Sequence, residues 1–198
     1  AIGSVTLQVA VNNLGTVAVA AVTAASKLSM VFVCVFDALA TTMATFAGQN
    51  VGARKLDRIN EGLKSASILG IAYCVLALIT IWLAGKQLIT LFVSASDTEV
   101  VEKAYNFLLI NAVFYIPLLF VNIVRLSIQG MGFTQMAVIA GFCEMVARIL
   151  VAVFFVPTLG FTAAAFASPV AWFAADAFLF PCYFKVMKQM RQRMGQVA

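Results

Sequence analysis

The chain has 198 residues, 63% of them hydrophobic and only 11% charged, with a net charge of +5 and a mean hydropathy of +1.02. A soluble domain is about half apolar and about a quarter charged, so this composition excludes an ordinary water-facing surface and makes lipid the solvent. His is absent, and Cys34, Cys74, Cys143 and Cys182 lie in apolar stretches without paired spacing, so neither a metal centre nor a disulfide framework is expected.

Apolar runs of about 20 residues cross about 30 Å of hydrocarbon, and the chain contains one partial and five full runs of this kind. The partial span covers Ala1 to Leu14. It begins without an initiator Met, a basic leader or a cleavage-site pattern, so no signal peptide is read and a fragment starting inside a membrane segment is expected. Ser4, Gln8 and Asn12 share one face of it. After Asn13-Leu14-Gly15 the second span runs from Val17 to Ala47, with Lys27, Cys34, Asp37, Thr41, Thr45 and Gly48 on a single polar or small stripe. The third runs from Ala66 to Ala84 and carries no such stripe.

Leu88 to Ala104 predicts a surface helix capped by Ser96, with Glu99 completing a capping box. The fourth span, Tyr105 to Gln129, aligns Asn111, Tyr115, Asn122, Arg125 and Gln129, and Pro117 is expected to kink it. The fifth, Gln135 to Val156, places Glu144 and Arg148 one turn apart. The sixth, Phe161 to Phe184, does the same for Ser168, Trp172 and Asp176. The predicted fold class is therefore all-α and integral to the membrane. Six helices form an antiparallel bundle over residues 1–184, followed by a basic tail over 185–198.

Arg54, Lys55, Arg58 and Lys64 after the second span, and Lys185, Lys188, Arg191 and Arg193 in the tail, make up eight of the 13 cations. Alternating spans put both groups on one side, which the positive-inside rule makes cytoplasmic, with the C-terminus, in the cell membrane. The positive charge thus reads as topology, and no nucleic-acid partner is expected.

A charge at the centre of a membrane helix costs at least about 2.5 kcal/mol, so such residues belong in the bundle interior or a wet cavity. Six lie within the spans: Lys27, Arg125 and Arg148 against Asp37, Glu144 and Asp176. Glu144 and Arg148 are expected to form a structural ion pair. Arg125 is expected to snorkel to the interface, and Asp176 to reach a Lys or Arg elsewhere in the bundle. Asp37 has no charged neighbour at one-turn spacing, so it either pairs across helices or takes up a proton or cation. Asp37, Glu144, Asp176, Thr41, Gln8 and Asn12 are the candidates for ion coupling, and Asn111, Tyr115, Asn122 and Arg125 for a cavity wall. The 17 Phe and 8 Met residues mostly face lipid or pack, and would also suit flat lipophilic cations.

The second span ends in Gly48-Gln49-Asn50-Val51-Gly52-Ala53, where small residues let helices approach closely and amides can bond free helix-end carbonyls. With Leu14-Gly15-Thr16, Ala20-Ala21, Arg125-x3-Gln129-Gly130-x-Gly132, Glu144-x3-Arg148, Gly160 and Ala171-Trp172, the chain resembles the C-terminal half of multidrug and toxic compound extrusion (MATE) transporters. The resemblance implies one lobe of a twelve-helix secondary antiporter that exchanges H+ or Na+ for small lipophilic organic cations or xenobiotics, without ATP or another cofactor. It also implies a missing N-terminal lobe of the same polypeptide as partner, and inactivity of this fragment alone. Some members carry a cation-binding carboxylate in the first helix of this lobe, where Gln8 and Asn12 stand here. A flippase of lipid-linked saccharide precursors, which would need a more cationic cleft, and a non-transporting membrane relic are the alternatives. An intramembrane enzyme is not expected, since neither a His-based site nor a Gly-x-Gly-Asp motif is present.

Overall fold

In the computed structural model, which describes residues 2–195, the chain is helical almost throughout, and no strand occurs among the described residues. Ala1 at the expected start of the first span and residues 196–198 of the basic tail lie outside them. The elements are α1 (Ile2–Asn12), α2 (Thr16–Gly52), α3 (Leu56–Ile89), α4 (Thr98–Val113), α5 (Tyr115–Gly130), α6 (Thr134–Leu150), a π-helical turn (Val151–Phe155), α7 (Val156–Leu159) and α8 (Phe161–Arg193). α2, α3, α8 and the continuous stretch Thr134–Leu159 are each long and apolar enough to cross a membrane, and α4 with α5 makes a fifth, bent span. With the short apolar α1 this matches the five full spans and one partial span read from the sequence. Ile68, Leu69, Leu76, Trp82 and Leu83 of α3, and Val138, Phe142 and Phe154 of the fifth span, are exposed large apolar side chains. Lipid accepts such a surface at no cost, whereas water would not.

The bend follows from Pro117, whose ring crowds the carbonyl of Val113 and which offers it no N–H. The helix breaks at Phe114, and its two halves diverge by 54°. In the fifth span Pro157 likewise withholds an N–H from Val153, and the chain adopts a π turn there before continuing to Leu159. This span thus outruns its expected end at Val156 and stops at Gly160, whose φ of 63° suits glycine.

Further boundaries differ from the sequence reading. No surface helix spans Leu88 to Ala104: α3 continues through Ile89, and α4 starts at Thr98 after Asp97, with no side-chain cap. Val100, Val101 and Ala104 are buried in register with Phe107 and Leu108, so this segment belongs to the bundle. Ser96 meets Ser94, their hydroxyls 2.8 Å apart, instead of capping the helix. The other two changes extend helices at the opposite end. α3 begins at Leu56, which is buried with Ile59, and α8 runs to Arg193, burying Val186, Met187 and Met190. Tyr183 Oη donates to Asn60 Oδ1 at 2.8 Å and Arg191 Nη2 to Asp57 Oδ1 at 2.6 Å, so the two cationic segments share one end of the bundle.

The core is centred on α2 and α5, the most extensively packed pair of helices. Phe36 of α2 meets the rings of Tyr73 and Tyr115 edge-on, each at 5.5 Å. Towards the cationic end the two backbones nearly touch. A Cβ on Gly130 would stand 2.2 Å from the Ala44 carbonyl oxygen and 2.9 Å from its Cα, and one on Gly48 would stand 3.2 Å from the Gly130 oxygen. Gly130→Ala should therefore force the helices apart and destabilise the protein by about 1–3 kcal/mol. Gly141→Ala, where a Cβ meets nothing within 4 Å, should be neutral or stabilise the helix by up to about 1 kcal/mol. Thermal unfolding of the two variants in detergent checks this, and equal midpoints would contradict the close crossing.

Candidate functional site

The polar stripe of α2 forms as expected but faces outward. Burying Phe36, Ala40, Met43 and Ala47 against α5 and its neighbours leaves Lys27, Cys34, Asp37, Thr41 and Thr45 exposed on the opposite face. Lys27 and Asp37 are therefore not inside the bundle, the first of the two placements expected for the intramembrane charges, and Asp37 instead faces an open groove. The stripe continues to Thr42 and Gln49, and from Asp37 to Gln49 it lines an open groove of ≈620 Å³. The hydroxyls of Thr41, Thr42 and Thr45 donate to the carbonyls of Asp37, Ala38 and Thr41 at 2.8, 2.8 and 3.2 Å. Their donors are thus satisfied within the helix, leaving oxygen lone pairs and one carboxylate to face the groove. Such a surface can receive a cation.

At the end of this helix the motif residues have separate tasks. Asn50 is buried and its Nδ2 donates to the Phe46 carbonyl at 2.8 Å, whereas Gln49 is exposed in the groove. Gly48 lies at the crossing with α5. Gly52 ends the helix, and the Ala53 N–H closes back on the Gln49 carbonyl at 3.0 Å.

The remaining charges lie between α5, α6 and α8. Arg148 Nη2 donates to Glu144 Oε1 at 2.8 Å, as the i,i+4 spacing predicts. Arg125 does not snorkel: its Nη1 reaches Glu144 Oε2 at 3.4 Å and its Nη2 the Asn122 Oδ1 at 3.4 Å. One carboxylate thus holds two guanidinium groups, because α6 faces α5 at this level. Asp176 finds no cationic partner among the described residues. It is buried, and its Oδ1 is the one fully enclosed side-chain N or O atom without a hydrogen bond among the described residues.

Of the proposed cavity residues, Tyr115 lies in the core, fully buried, with its hydroxyl 3.1 Å from Ser29 Oγ. Asn111 Nδ2 ties α4 to α8 through the carbonyls of Phe107 at 2.8 Å and Ala165 at 3.3 Å. It also lines a second pocket, of ≈310 Å³, with Gln8, Ser26, Arg148, Ser168 and Trp172. Gln8 donates to Asn12 Oδ1 at 3.1 Å, both on the exposed side of α1. Sequence reasoning missed Ser26, Ser29 and Thr42 and gave Gln49 only a structural part at the helix end; their polarity was the available signal, and their facing depends on the rotation of α2.

The MatE family model matches residues 1–154. Among solved structures the chain is similar to a MOP superfamily transporter from Pyrococcus furiosus Vc1 (DSM3638), with a TM-score of 0.81 and 20% identity. The likeness is one of fold, and it covers 89% of this chain but 39% of that one. For that transporter, a reversed polarity of the binding pocket is said to suggest a different function. No curated protein matches the chain.

The shared carboxylate sets an order of sensitivity. Glu144→Ala strands two partly buried guanidinium groups and should cost about 3 kcal/mol or more. Arg125→Ala leaves the 2.8 Å pair intact and should cost clearly less. Unfolding midpoints of the two variants, measured side by side, should fall in that order; the reverse order would show that Glu144 is not the hub.

Proposed function

This chain belongs to the MatE family, and we propose that it is one lobe of a secondary antiporter that exports lipophilic organic cations in exchange for H+ or Na+. The observation that carries this reading is the α2 groove. A membrane helix that turns a carboxylate, three hydroxyls and an amide away from its own bundle needs an aqueous or protein neighbour on that side. A second lobe of the same polypeptide, apposed to this face, would close a cleft around the groove. Asp37 then supplies the attraction for a cation, and Ala38 and Phe46 supply its apolar contacts. The cationic end of the bundle, with Arg54, Lys55, Arg58 and the end of α8, faces the cytoplasm of the cell membrane.

Ion coupling is assigned to Asp176. A carboxylate oxygen enclosed without a donor leaves an acceptor that a proton or small cation can fill. Exchange follows if occupancy of Asp176 and of the groove favour opposite openings of the cleft.

The complete protein in liposomes should move ethidium against an imposed H+ or Na+ gradient. Asp37→Asn should raise the KM for ethidium about tenfold, equivalent to about 1.4 kcal/mol of lost attraction. Asp176→Asn should leave ethidium binding intact and abolish the response to the ion gradient. Gradient-driven exchange that survives in Asp176→Asn would remove that residue from coupling, and absence of ethidium movement in the unmodified protein would overturn the export reading.

A further inference from the structure

The ≈310 Å³ pocket between α1, α2, α4, α6 and α8 is of opposite character to the groove. Arg148 is the one ionisable side chain on its wall, and Phe107 and Trp172 give it flat apolar sides. Its volume is near the lower end of the roughly 300–1,000 Å³ of ligand pockets.

The guanidinium of Arg148 is only partly used. Its Nη2 is committed to Glu144, which is also held by Arg125, so this cluster of two cations and one anion keeps a positive charge. No fully enclosed nitrogen of Arg148 lacks a partner, because Asp176 Oδ1 is the one such atom among the described residues. The donors that Glu144 does not engage are therefore not enclosed, and Arg148 is one of the residues that line this pocket. Ser26 and Ser168 line the same pocket, and their hydroxyls donate to no protein acceptor among the described residues. The surrounding charges leave the sign unopposed: Glu144 is occupied, Asp176 lies one turn along α8 from Trp172 and off the pocket wall, and Lys27 next to Ser26 is a further cation. α1 and α4 bring no ionisable side chain to the wall.

We propose that this pocket binds the carboxylate of a small aromatic or aliphatic organic acid, with Arg148 and the serine hydroxyls on the carboxylate and the apolar body between Phe107 and Trp172. A planar guanidinium with free N–H groups matches a carboxylate in shape as well as charge. The neutral polar groups let the pocket stay wet when empty. The site is separate from the cation groove and does not depend on the export reading.

Equilibrium dialysis of radiolabelled benzoate against the complete protein in nanodiscs of neutral phospholipid tests this. Benzoate should bind saturably, and benzamide and benzamidine, of the same size but neutral and cationic, should bind at least about tenfold more weakly, the value of one lost charge-assisted contact. The paired change Glu144→Gln with Arg148→Gln, which removes both charges while keeping polar side chains, should abolish the preference for benzoate. Ser26→Phe fills the mouth from an exposed position on α2 and should block binding without touching the ion cluster, so the location is tested even where the paired variant fails to fold. Absence of saturable benzoate binding, equal binding of benzamide, or unchanged binding in Ser26→Phe would each overturn the proposal.

Discussion

The near contact of two backbones, α2 at Ala44 and Gly48 with α5 at Gly130, is the constraint on which the lobe depends. Lipid removes the hydrophobic drive that would hold helices together in water, so close van der Waals packing and interhelical hydrogen bonds must do it. Glycine at the crossing lets the packing extend over most of both helices, from the Phe36–Tyr115 contact to Ala47. It also fixes the rotation of α2 about its axis. With Met43 and Ala47 turned inward, Asp37, Thr41, Thr45 and Gln49 have no choice but to turn outward, so the polar groove is a consequence of the core.

The six intramembrane charges meet the same desolvation problem in three ways. Glu144, Arg125 and Arg148 share a cluster in which every group keeps a partner. Lys27 and Asp37 stay exposed on a face that also carries Cys34, Thr41 and Thr45, with Met30 and Val31 exposed between the two charges. Asp176 alone is enclosed with an unsatisfied oxygen. Of these, the cluster is the arrangement expected of structure, because each member lowers the cost of the others. A groove and an orphan acid stabilise nothing by themselves.

Much of the architecture was legible in the sequence because the signals were local. Apolar run length located the spans, the missing N–H of Pro117 located the bend, and the i,i+4 spacing of Glu144 and Arg148 gave their pair. What was not legible depends on how helices are rotated and set against one another. Periodicity put Tyr115 on a polar face, yet its hydroxyl is satisfied by Ser29 inside the core. It could not show that Arg125 meets Glu144 from another helix, nor that the α2 stripe faces away from the bundle. The expected surface helix failed for a related reason. Its capping pattern at Ser96 was a local signal, and burial of Val100, Val101 and Ala104 against neighbouring helices prevailed.

The two polar surfaces also differ in what completes them. The α2 groove is one wall of a site, and on the antiporter reading its affinity changes when an opposing lobe moves. The Arg148 pocket is lined by five elements of the same unit, so motion within the lobe can alter it. The bend at Phe114 lies one turn from Asn111, whose amide fastens α4 to α8 at the pocket wall. A helix already broken at that level has fewer backbone hydrogen bonds to hold its angle, whereas the α2–α5 crossing is packed so closely that a Cβ on Gly130 would meet the Ala44 backbone. Asn111 thus stands both beside the bend and on the wall of the pocket, so the geometry of the break helps to set the shape of that wall.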